Sequence, residues 1–472
     1  MFGFGSTVVP TLPSIGLSEG ERAIITDLER MGSQSDADSE LCRAFYLGQQ
    51  VIKNLRIAVP KELEAHLTTV VGWGAAAVDP LVERSSLDGF RTPDGDDADS
   101  YIGELMETTG FEAELPMALT DAFSMGRGFI TVGSPAERGG PPVVTADNPA
   151  NMYVKWDARG RVARQVLHKY SDGQQQRATL MLPNLSLHLA VNDKQQWEVV
   201  QRDEHDFDFI GLTRLSNMSL TDARQGRSEI TPALRSIIID ACRTLRSLVV
   251  AGEIYSVPQR LILGATEAAF QNANGSTKTA LETYITSILA LERDENGELP
   301  DVKQMAVYDP SVFTRVVEMY ASQASGILAA TPQELGLYTD GNPVSAESVK
   351  ASRLSRDDRA RLRQRFCNPA LAQVAQHMIR FDNGGTLPEQ YRRLTADWNP
   401  VAVETIGVTS DAISKQIQVG AIPATSDVTL KRLGYTAPER RRLEADRRRE
   451  RMTLAAAAAR ESIQGATNAG GV

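Results

Sequence analysis

One short segment gathers the residue types that metal-dependent hydrolases use. The run "RDEHDFDF" (202–209) places Asp203, Glu204, Asp206 and Asp208 around His205. Carboxylates and imidazole bind divalent metals, and a bound metal can activate water for hydrolysis. The segment follows a β-rich run, so an acidic loop at the end of a strand is the competing interpretation. The strand-end acidic loop is the favoured interpretation, and the metal site stays as an alternative.

Other patterns that could support catalysis are incomplete. "GSTKT" (275–279) lacks the leading glycine and the Gly-Lys pair of a phosphate-binding loop. The acidic loop "TPDGDDADS" (92–100) lacks the glycine and the glutamate that a calcium loop needs. The five histidines are scattered, and the chain has no serine elbow and no local cysteine signature. We therefore expect no enzyme activity, no bound metal and no cofactor.

Composition predicts a globular intracellular chain that does not grip nucleic acid strongly. The 472 residues are 42% hydrophobic, which is enough for more than one core. The 60 acidic and 50 basic residues give a formal charge of −10, whereas proteins that bind many phosphates are usually basic. Cys42, Cys242 and Cys367 are expected to be reduced and mostly buried. We find no signal-peptide pattern and no apolar run long enough for a bilayer, so we expect a soluble protein.

The first third of the chain changes from a helical to a strand pattern. "LSEGERAIITDLERM" begins with Ser18 and Glu21 at the spacing of a capping box, and helical periodicity continues to about Arg84. Two more helices are predicted in "YIGELMETTG" and "FEAELPMALTDAFSMG". After Gly126, short β-rich runs separated by turn residues continue for roughly 85 residues. They predict an antiparallel meander or a small sandwich.

Two long capped helices follow. Thr231 is the predicted N-cap of the first, with Pro232 in the first helical position. Residues 231–255 would extend about 37 Å. A mixed insert separates this helix from a second one, for which Asp309 is the predicted cap and Pro310 the first residue. The sequence thus predicts two long helices separated by a mixed insert.

A tight polar loop then interrupts helical sequence. Thr331 and Glu334 are spaced as a capping box on a single turn. The turn formers from Thr339 to Pro343 come next, and helix is predicted again from Ser345 to about Arg380. Such a loop could be catalytic or could serve only as a contact. Because no nucleophile, base or metal set accompanies it, the sequence favours a contact element.

The C-terminal region is predicted to be helical from Asn399 to Gly434 and to end in a charged, partly disordered tail. Arginines of the tail alternate with acidic residues; they are Arg440, Arg441, Arg442, Arg447, Arg448, Arg449 and Arg451. Opposite charges four residues apart compensate one another along a helix. This pattern favours a solvated helix face over a nucleic-acid site.

Several sequence words together resemble the portal proteins of tailed bacteriophages, in the branch common among phages of actinobacteria. The central words are "GRSEITPALRSIIIDACRTL" (226–245), "VPQRLILG" (257–264), "ASGILAATPQELGL" (324–337) and "NPVSAESVKASRLSR" (342–356). "AFSMGRGFITVG" (122–133) and "NPANMYVKWD" (148–157) are similar to the wing region of that family. The resemblance covers about residues 40–435. Its words are specific in combination and weak singly.

The resemblance implies an α+β portal fold, mostly helical, with a β-rich wing, long stem helices, a small mixed clip and a helical crown. Carried over by position, the implied parts are a wing at 1–225, a first stem helix at 226–255, a clip at 256–308, a second stem helix at 309–330, a tunnel loop at 331–345, a long wing helix at 346–395, and a crown with a tail at 396–472. It also implies candidate channel residues, namely Thr339, Asp340, Gly341, Asn342, Pro343, Lys350 and Arg353.

The function implied by the resemblance is that of a non-enzymatic ring, usually of twelve subunits, at one vertex of the capsid. Double-stranded DNA would pass through it during packaging and ejection. The implied partners are the terminase large subunit, the major capsid and scaffolding proteins, and a head-completion adaptor. The implied location is the virion, after assembly in the host cytoplasm. A scaffold or minor head protein, and a metal-dependent hydrolase using the segment around His205, stay as alternatives.

Overall fold

The computed structural model describes residues 14–52, 69–93, 99–135, 139–157, 159, 161–173, 175–194, 196–255, 260–263, 301–304, 309–336, 346–401 and 406–469. The chain forms two compact units. The first comprises Met1–Gln50, Gly72–Arg235 and Ser325–Val472. The second comprises Val51–Val71 and Ser236–Ala324. The architecture is a mixed α+β one, as the sequence predicts.

The described regular elements are numbered in chain order. The helices are α1 (Glu19–Met31), α2 (Ala37–Tyr46), α3 (Trp73–Glu83), α4 (Ser100–Thr109), α5 (Phe111–Met125), α6 (Pro232–Tyr255), α7 (Ser311–Leu328), α8 (Ala346–Asp382), α9 (Ile406–Gln418), α10 (Asp427–Arg432) and α11 (Ala437–Ala469). The strands are β1 (Ser14–Ile15), β2 (Leu87–Arg91), β3 (Arg127–Gly133), β4 (Val143–Asp147), β5 (Met152–Trp156), β6 (Ala163–Asp172), β7 (Gln175–Leu182), β8 (Leu185–Val191), β9 (Trp197–Glu204), β10 (Leu212–Ser216), β11 (Arg260–Leu263), β12 (Asp301–Gln304) and β13 (Thr395–Trp398).

The N-terminal helix α1 packs on a six-stranded sheet of order β1-β9-β8-β7-β6-β5. Strands β5 to β9 form the predicted antiparallel meander, and β1 joins β9 in parallel. The predicted capping box is confirmed, since Ser18 and Glu21 exchange hydrogen bonds at 2.8 and 3.3 Å. Burial of Leu28 and Leu180 in one apolar cluster joins helix to sheet.

A second sheet of order β10-β3-β4 lies against α5. Gly128 in β3 approaches α5 so closely that an added Cβ would collide with the carbonyl oxygen of Ala118. Phe129 of the same strand is fully buried. The close approach explains why a residue without a side chain stands inside this strand.

Strands β2 and β13 pair antiparallel, although they are about 300 residues apart. Neither strand is predicted from the sequence. Helix is expected to about Arg84 before β2, and to about Arg380 and again from Asn399 on the two sides of β13. Each strand is four or five residues long, too short for a clear alternation of polar and apolar residues. Their pairing depends on contacts that local periodicity does not encode.

The caps predicted for the long helices are confirmed. The Thr231 hydroxyl accepts a hydrogen bond from the Leu234 amide at 3.3 Å, one residue before α6. The Asp309 carboxylate accepts one from the Ser311 amide at 2.9 Å at the start of α7. Between them, β11 and β12 form an antiparallel pair. The rest of the insert lies outside the described residues.

Helix α8 is 37 residues long and contains Pro369. It confirms the helix predicted after the polar loop. Among the helices in the described ranges, none combines the length and the hydropathy of a membrane-spanning segment. Cys42, Cys242 and Cys367 are free thiols and are buried, as predicted.

The C-terminal helix α11 differs from its predicted role in its first turn. Arg448 pairs with Glu444 at 2.6 Å in the expected i, i+4 geometry. Arg440, however, is only 4% exposed and pairs with Asp88 of β2 and Asp427 of α10, each at 2.5 Å. The prediction of a wholly solvated arginine face is therefore wrong at Arg440. Helical spacing cannot reveal a carboxylate brought in from residue 88.

Candidate functional site: the frame of the loop between α7 and α8

The predicted loop residues themselves are only partly visible. Those from Thr339 to Pro343 lie outside the described residues. Lys350 lies in the first turns of α8, and its side chain is not described. Arg353 lies on the same helix and is exposed. What the structure describes is the frame that holds the two ends of this loop, and we define this frame by Glu229, Glu334, Arg356, Arg359 and Arg363.

The upstream end of the loop is a tight turn. Ala329 adopts a left-handed conformation with φ of 53° directly after α7, and a single 3₁₀ turn then covers Pro332–Leu335. The Thr331 amide donates to the Glu334 carboxylate at 2.8 Å, which is one half of the predicted capping box. The Trp73 indole N–H donates to the Leu335 carbonyl at 3.3 Å. The chain is therefore fixed up to the residue before Gly336.

The downstream end is tied to the same turn by Arg356. Its guanidinium donates to both oxygens of Glu334, at 3.1 and 2.7 Å. A third donation reaches the Ala329 carbonyl at 3.5 Å. Burial opposes ionisation of Glu334, but Arg356 and the Thr331 amide outweigh it, so the pKa of Glu334 lies below its usual value. One arginine thus joins the residues before the loop to the helix after it.

A second tie lies deeper and centres on Glu229. Arg363 donates to both carboxylate oxygens at 2.8 Å, and Arg359 adds a contact at 3.3 Å. The Asn217 amide donates at 2.9 Å. Burial would raise the pKa of Glu229, yet the hydrogen bonds and charges of these partners outweigh it and lower the pKa. The carboxylate is therefore ionised and fully paired.

The segment carrying Glu229 is placed by a close backbone contact. Gly226 has φ of 92°, and an added Cβ there would collide with the carbonyl oxygen of Gly126. The Asn217 amide also donates to that carbonyl at 2.9 Å. Glycine is needed here because both the backbone angle and the space exclude a side chain. The turn before α6 is thereby held against the start of β3.

Four of the five frame residues are not predicted from the sequence. Arg356, Arg359 and Arg363 are spaced three and four apart, which places them on one face of α8. Arg359 also donates to the Ile327 carbonyl at the end of α7, at 2.7 Å. The spacing was visible in the sequence, but the acid at residue 229 that it requires lies more than a hundred residues away. Of the five, the sequence indicates only Glu334, through its spacing from Thr331.

The acidic side chains around His205 do not come together at one point. Asp203 faces His188 at 3.2 Å, and the imidazole of His205 lies 3.3 Å from the Ser186 hydroxyl. Asp208 is exposed and lies 3.8 Å from Arg380. Within the described ranges, no three His, Cys, Asp or Glu side chains could together hold a metal ion. The arrangement matches the strand-end acidic loop, the competing interpretation of this segment.

Most of the chain, including the frame residues, matches known proteins. The family model described as "Phage portal protein, SPP1 Gp6-like" matches residues 40–433. The portal protein of Mycobacterium phage L5 is 26% identical over 443 residues, which cover 91% of this chain and 89% of that protein. The portal protein of Mycobacterium phage D29 is 27% identical over 406 residues, which cover 84% and 82%.

Solved structures give a weaker likeness. "Neck of native GTA particle computed with C12 symmetry" has a TM-score of 0.41 at 16% identity and covers 84% of this chain and 99% of that one. "Neck of empty GTA particle computed with C6 symmetry" has a TM-score of 0.42 at 12% identity, with coverage of 84% and 94%. The assignment depends on the family model, which spans well over half of the sequence and includes both ends of the frame. The chain belongs to the phage portal protein family.

Proposed function

We propose that this chain is the subunit of a ring at one capsid vertex, through which double-stranded DNA is packaged and ejected. The observation that carries the proposal is the family match over residues 40–433. The order of elements supports it, because two long capped helices enclose an insert and a framed loop leads into α8. The match favours a portal over the scaffold or minor head protein that the sequence left open. We propose a non-enzymatic role.

We assign parts of the channel by position along the chain. Residues 226–255 and 309–330 are the proposed stem helices, and 256–308 the clip between them. Residues 331–345 are the proposed tunnel loop. Residues 1–225 and 346–395 would form the wing, and 396–472 the crown and tail. The antiparallel pair β11 and β12 supports a folded clip, since it closes the two ends of the insert.

Charge is consistent with a conduit for DNA. A channel that neutralised many phosphates would hold the duplex and resist its movement, whereas this chain carries a formal charge of −10. Each of the three frame arginines, Arg356, Arg359 and Arg363, already forms an ion pair with Glu229 or Glu334. We therefore do not expect them to bind phosphates. Arg353 is exposed on α8 and is the described candidate for contact with DNA. Contact would then be local and reversible.

The proposed partners follow from the same role. Twelve copies of the chain would form the ring, and the virion would be its final location after assembly in the host cytoplasm. The terminase large subunit and a head-completion adaptor would meet the clip at different stages. The major capsid and scaffolding proteins would surround the wing. A heterologous interface that repeats around an axis closes into such a ring.

Electron microscopy of the purified full-length chain tests the ring directly. We expect closed rings with a central hole wide enough for a DNA duplex. A compact monomer or dimer, under conditions that allow assembly, would contradict the proposal. Mass photometry of the same sample gives the subunit number.

The loop assignment has its own test. Deleting Thr339 to Asn342 should leave ring assembly intact, because the frame residues and both helices remain. Packaging or retention of DNA should fall, since the loop would no longer reach the duplex. The measurement is the DNA content of particles assembled with the deleted subunit. Normal yield and retention would overturn the loop assignment without touching the ring.

A further inference from the structure

A pocket of about 870 Å³ opens beside β3, β10 and the loop that follows β5. Five guanidinium groups line it, those of Arg127, Arg159, Arg161, Arg214 and Arg224. The acidic groups in its wall are Asp36, Asp157 and Asp222. We call this cavity the arginine pocket. Its excess of positive charge stands out in a chain with a formal charge of −10.

The deep wall of the pocket brings two positive charges together. Arg127 is 5% exposed and donates to Asp36 at 2.6 Å, while its Nε atom is buried without a hydrogen-bond partner. Arg214 lies over the Trp156 ring at 4.4 Å. Burial, together with the charge of Arg127, lowers the pKa of Arg214 to about 10. An anion in the pocket would relieve this repulsion and supply acceptors.

Two of the aspartates in the wall are already engaged. Asp36 caps α2 through the Ser39 amide at 2.8 Å, in addition to its bond with Arg127. Asp157 accepts the amides of Arg161 and Val162 at 2.6 and 3.0 Å, and these backbone hydrogen bonds lower its pKa.

The arginines at the rim of the pocket can donate hydrogen bonds to a ligand. The side chains of Arg159, Arg161 and Arg224 are exposed. None of them forms an ion pair with any residue that the structure describes. They belong to two separate loops that both line the cavity, one after β5 and one after β10. Guanidinium groups from two loops can donate to different oxygens of one anion.

We propose that the arginine pocket binds a phosphate group, either as free phosphate or as a phosphodiester of nucleic acid. A tetrahedral oxyanion offers acceptor oxygens in several directions and can meet guanidinium groups from different segments, whereas a planar carboxylate meets one fork. Trp156 stacks on Phe129 with centroids 6.3 Å apart, and its N–H donates to Gln34 at 3.0 Å. With Arg214 also on the ring, the indole is occupied, so the site recognises phosphate rather than a base.

Isothermal titration of the full-length chain with inorganic phosphate tests the proposal, with a short DNA duplex as a second probe. The pocket variant is Arg159→Gln/Arg161→Gln/Arg224→Gln. The control, Arg448→Gln/Arg449→Gln/Arg451→Gln, makes the same charge change on α11. We expect the pocket variant to bind phosphate at least about tenfold more weakly, because three charge-assisted donors are lost. The control should bind as the wild type does.

The two sources of phosphate give different results. Competition between the duplex and free phosphate assigns a phosphodiester, and phosphate binding without competition assigns a free anion. No phosphate binding by the wild type, or an equal loss in the control, would overturn the proposal. So would binding of a glutamate-rich peptide in place of phosphate. Melting curves check that the variants fold, and Arg224→Gln alone, expected to bind about threefold more weakly, serves if the triple variant does not.

Discussion

Glu229 is the side chain on which the loop frame converges. It is 5% exposed, and Arg359, Arg363 and Asn217 all direct N–H groups at its carboxylate. Burying charges costs hydration energy, so such a cluster is stable only while every member is paired. The residue joins the turn before α6 to the middle of α8. Its contribution lies in fixing that geometry.

Glu229→Gln should destabilise the protein strongly, because it leaves the buried guanidinium of Arg363 and the partly buried one of Arg359 without a counter-charge. We expect the free energy of unfolding to fall by about 3–5 kcal/mol, as for other broken buried pairs. Urea titration near neutral pH measures it. Glu389→Gln removes an exposed carboxylate that pairs with Arg392 at 3.8 Å and should change little.

At acid pH, the difference in the free energy of unfolding between Glu229→Gln and the wild type should become smaller. The folded pKa of Glu229 is depressed, so its stabilisation is present above the unfolded pKa and is lost as the pH falls through the folded pKa. A constant difference down to strongly acid pH would show that the charge is not the cause. Equal stability near neutral pH would contradict the assigned role of Glu229 altogether.

His377 should contribute acid sensitivity. Burial, with a smaller effect of Arg380, lowers its pKa from 6.5 to about 3. Below the unfolded pKa the unfolded chain binds a proton that the native chain does not, so stability falls as the pH falls. Between about pH 7.5 and about pH 5, the free energy of unfolding should decrease by about 2 kcal/mol less in His377→Gln than in the wild type. Parallel urea titrations at the two pH values check this, and identical losses would exclude His377 as the source.

At the scale of elements, α11 is attached at its first turn. Arg440 pairs with Asp88 and Asp427, and Lys431 of α10 reaches Asp88 at 3.1 Å and Asp397 at 2.8 Å. Strands β2 and β13, α10 and α11 therefore share one charged cluster. Beyond it, α11 exposes most of the side chains that the structure describes. The ion pairs of Arg440 therefore fix the position of the first turn of α11.

Arg440→Leu should release α11 locally. It removes the buried guanidinium that forms ion pairs with Asp88 and Asp427. We expect the free energy that holds the first turn of α11 in place to fall by about 3–5 kcal/mol. Hydrogen exchange of residues 437–450 should become faster, and trypsin should cleave there sooner. The matched change Arg448→Leu removes an exposed i, i+4 partner and should leave exchange at the first turn unaltered. Unchanged exchange in Arg440→Leu would mean that the cluster does not hold the helix.

Elements with local signals were predictable from the sequence. The Ser18 and Glu21 box, the Thr231 cap and the five-stranded meander depend on residues close in the chain, so periodicity and turn residues reveal them. The pairing of β2 with β13 and the ion pairs of Glu229 and Arg440 join distant segments. Their partners are defined only once the chain has folded. Glu334 is predictable because its capping partner Thr331 is three residues away, whereas the partner of Arg356 is 22 residues away.

At the scale of the whole molecule, α8 exposes apolar side chains that a single subunit does not use. Leu354 is 61% exposed, Leu362 39% and Phe366 37%. At 3.6 residues per turn these positions fall within an arc of about 120°, which adjoins the arc that carries Arg356, Arg359 and Arg363. Exposed apolar residues grouped on one helix face are typical of an interface. In the proposed ring, this face would meet the next subunit.

Leu354→Glu/Leu362→Glu should impair ring assembly and leave the subunit folded. Charges placed on an apolar interface must lose their hydration when subunits meet, which disfavours association. Sedimentation velocity should show a shift from rings to smaller species, with an unchanged circular dichroism spectrum. Met452→Glu/Leu454→Glu, on exposed positions of α11, is the control. Rings formed as readily by the α8 variant would exclude this face from the interface.

Pro369 divides α8 into two arms with different attachments. The arm before it is held by Arg356, Arg359 and Arg363, whereas the arm after it is packed by fully buried apolar residues such as Leu371. Proline has no N–H, so the helical hydrogen bond at this position is missing and bending there breaks none. A push on the loop end of this rod, about 55 Å long, would be taken up as flexion at the proline. The far arm could then stay in place while the near arm bends, which the proposed position of the loop beside moving DNA would require.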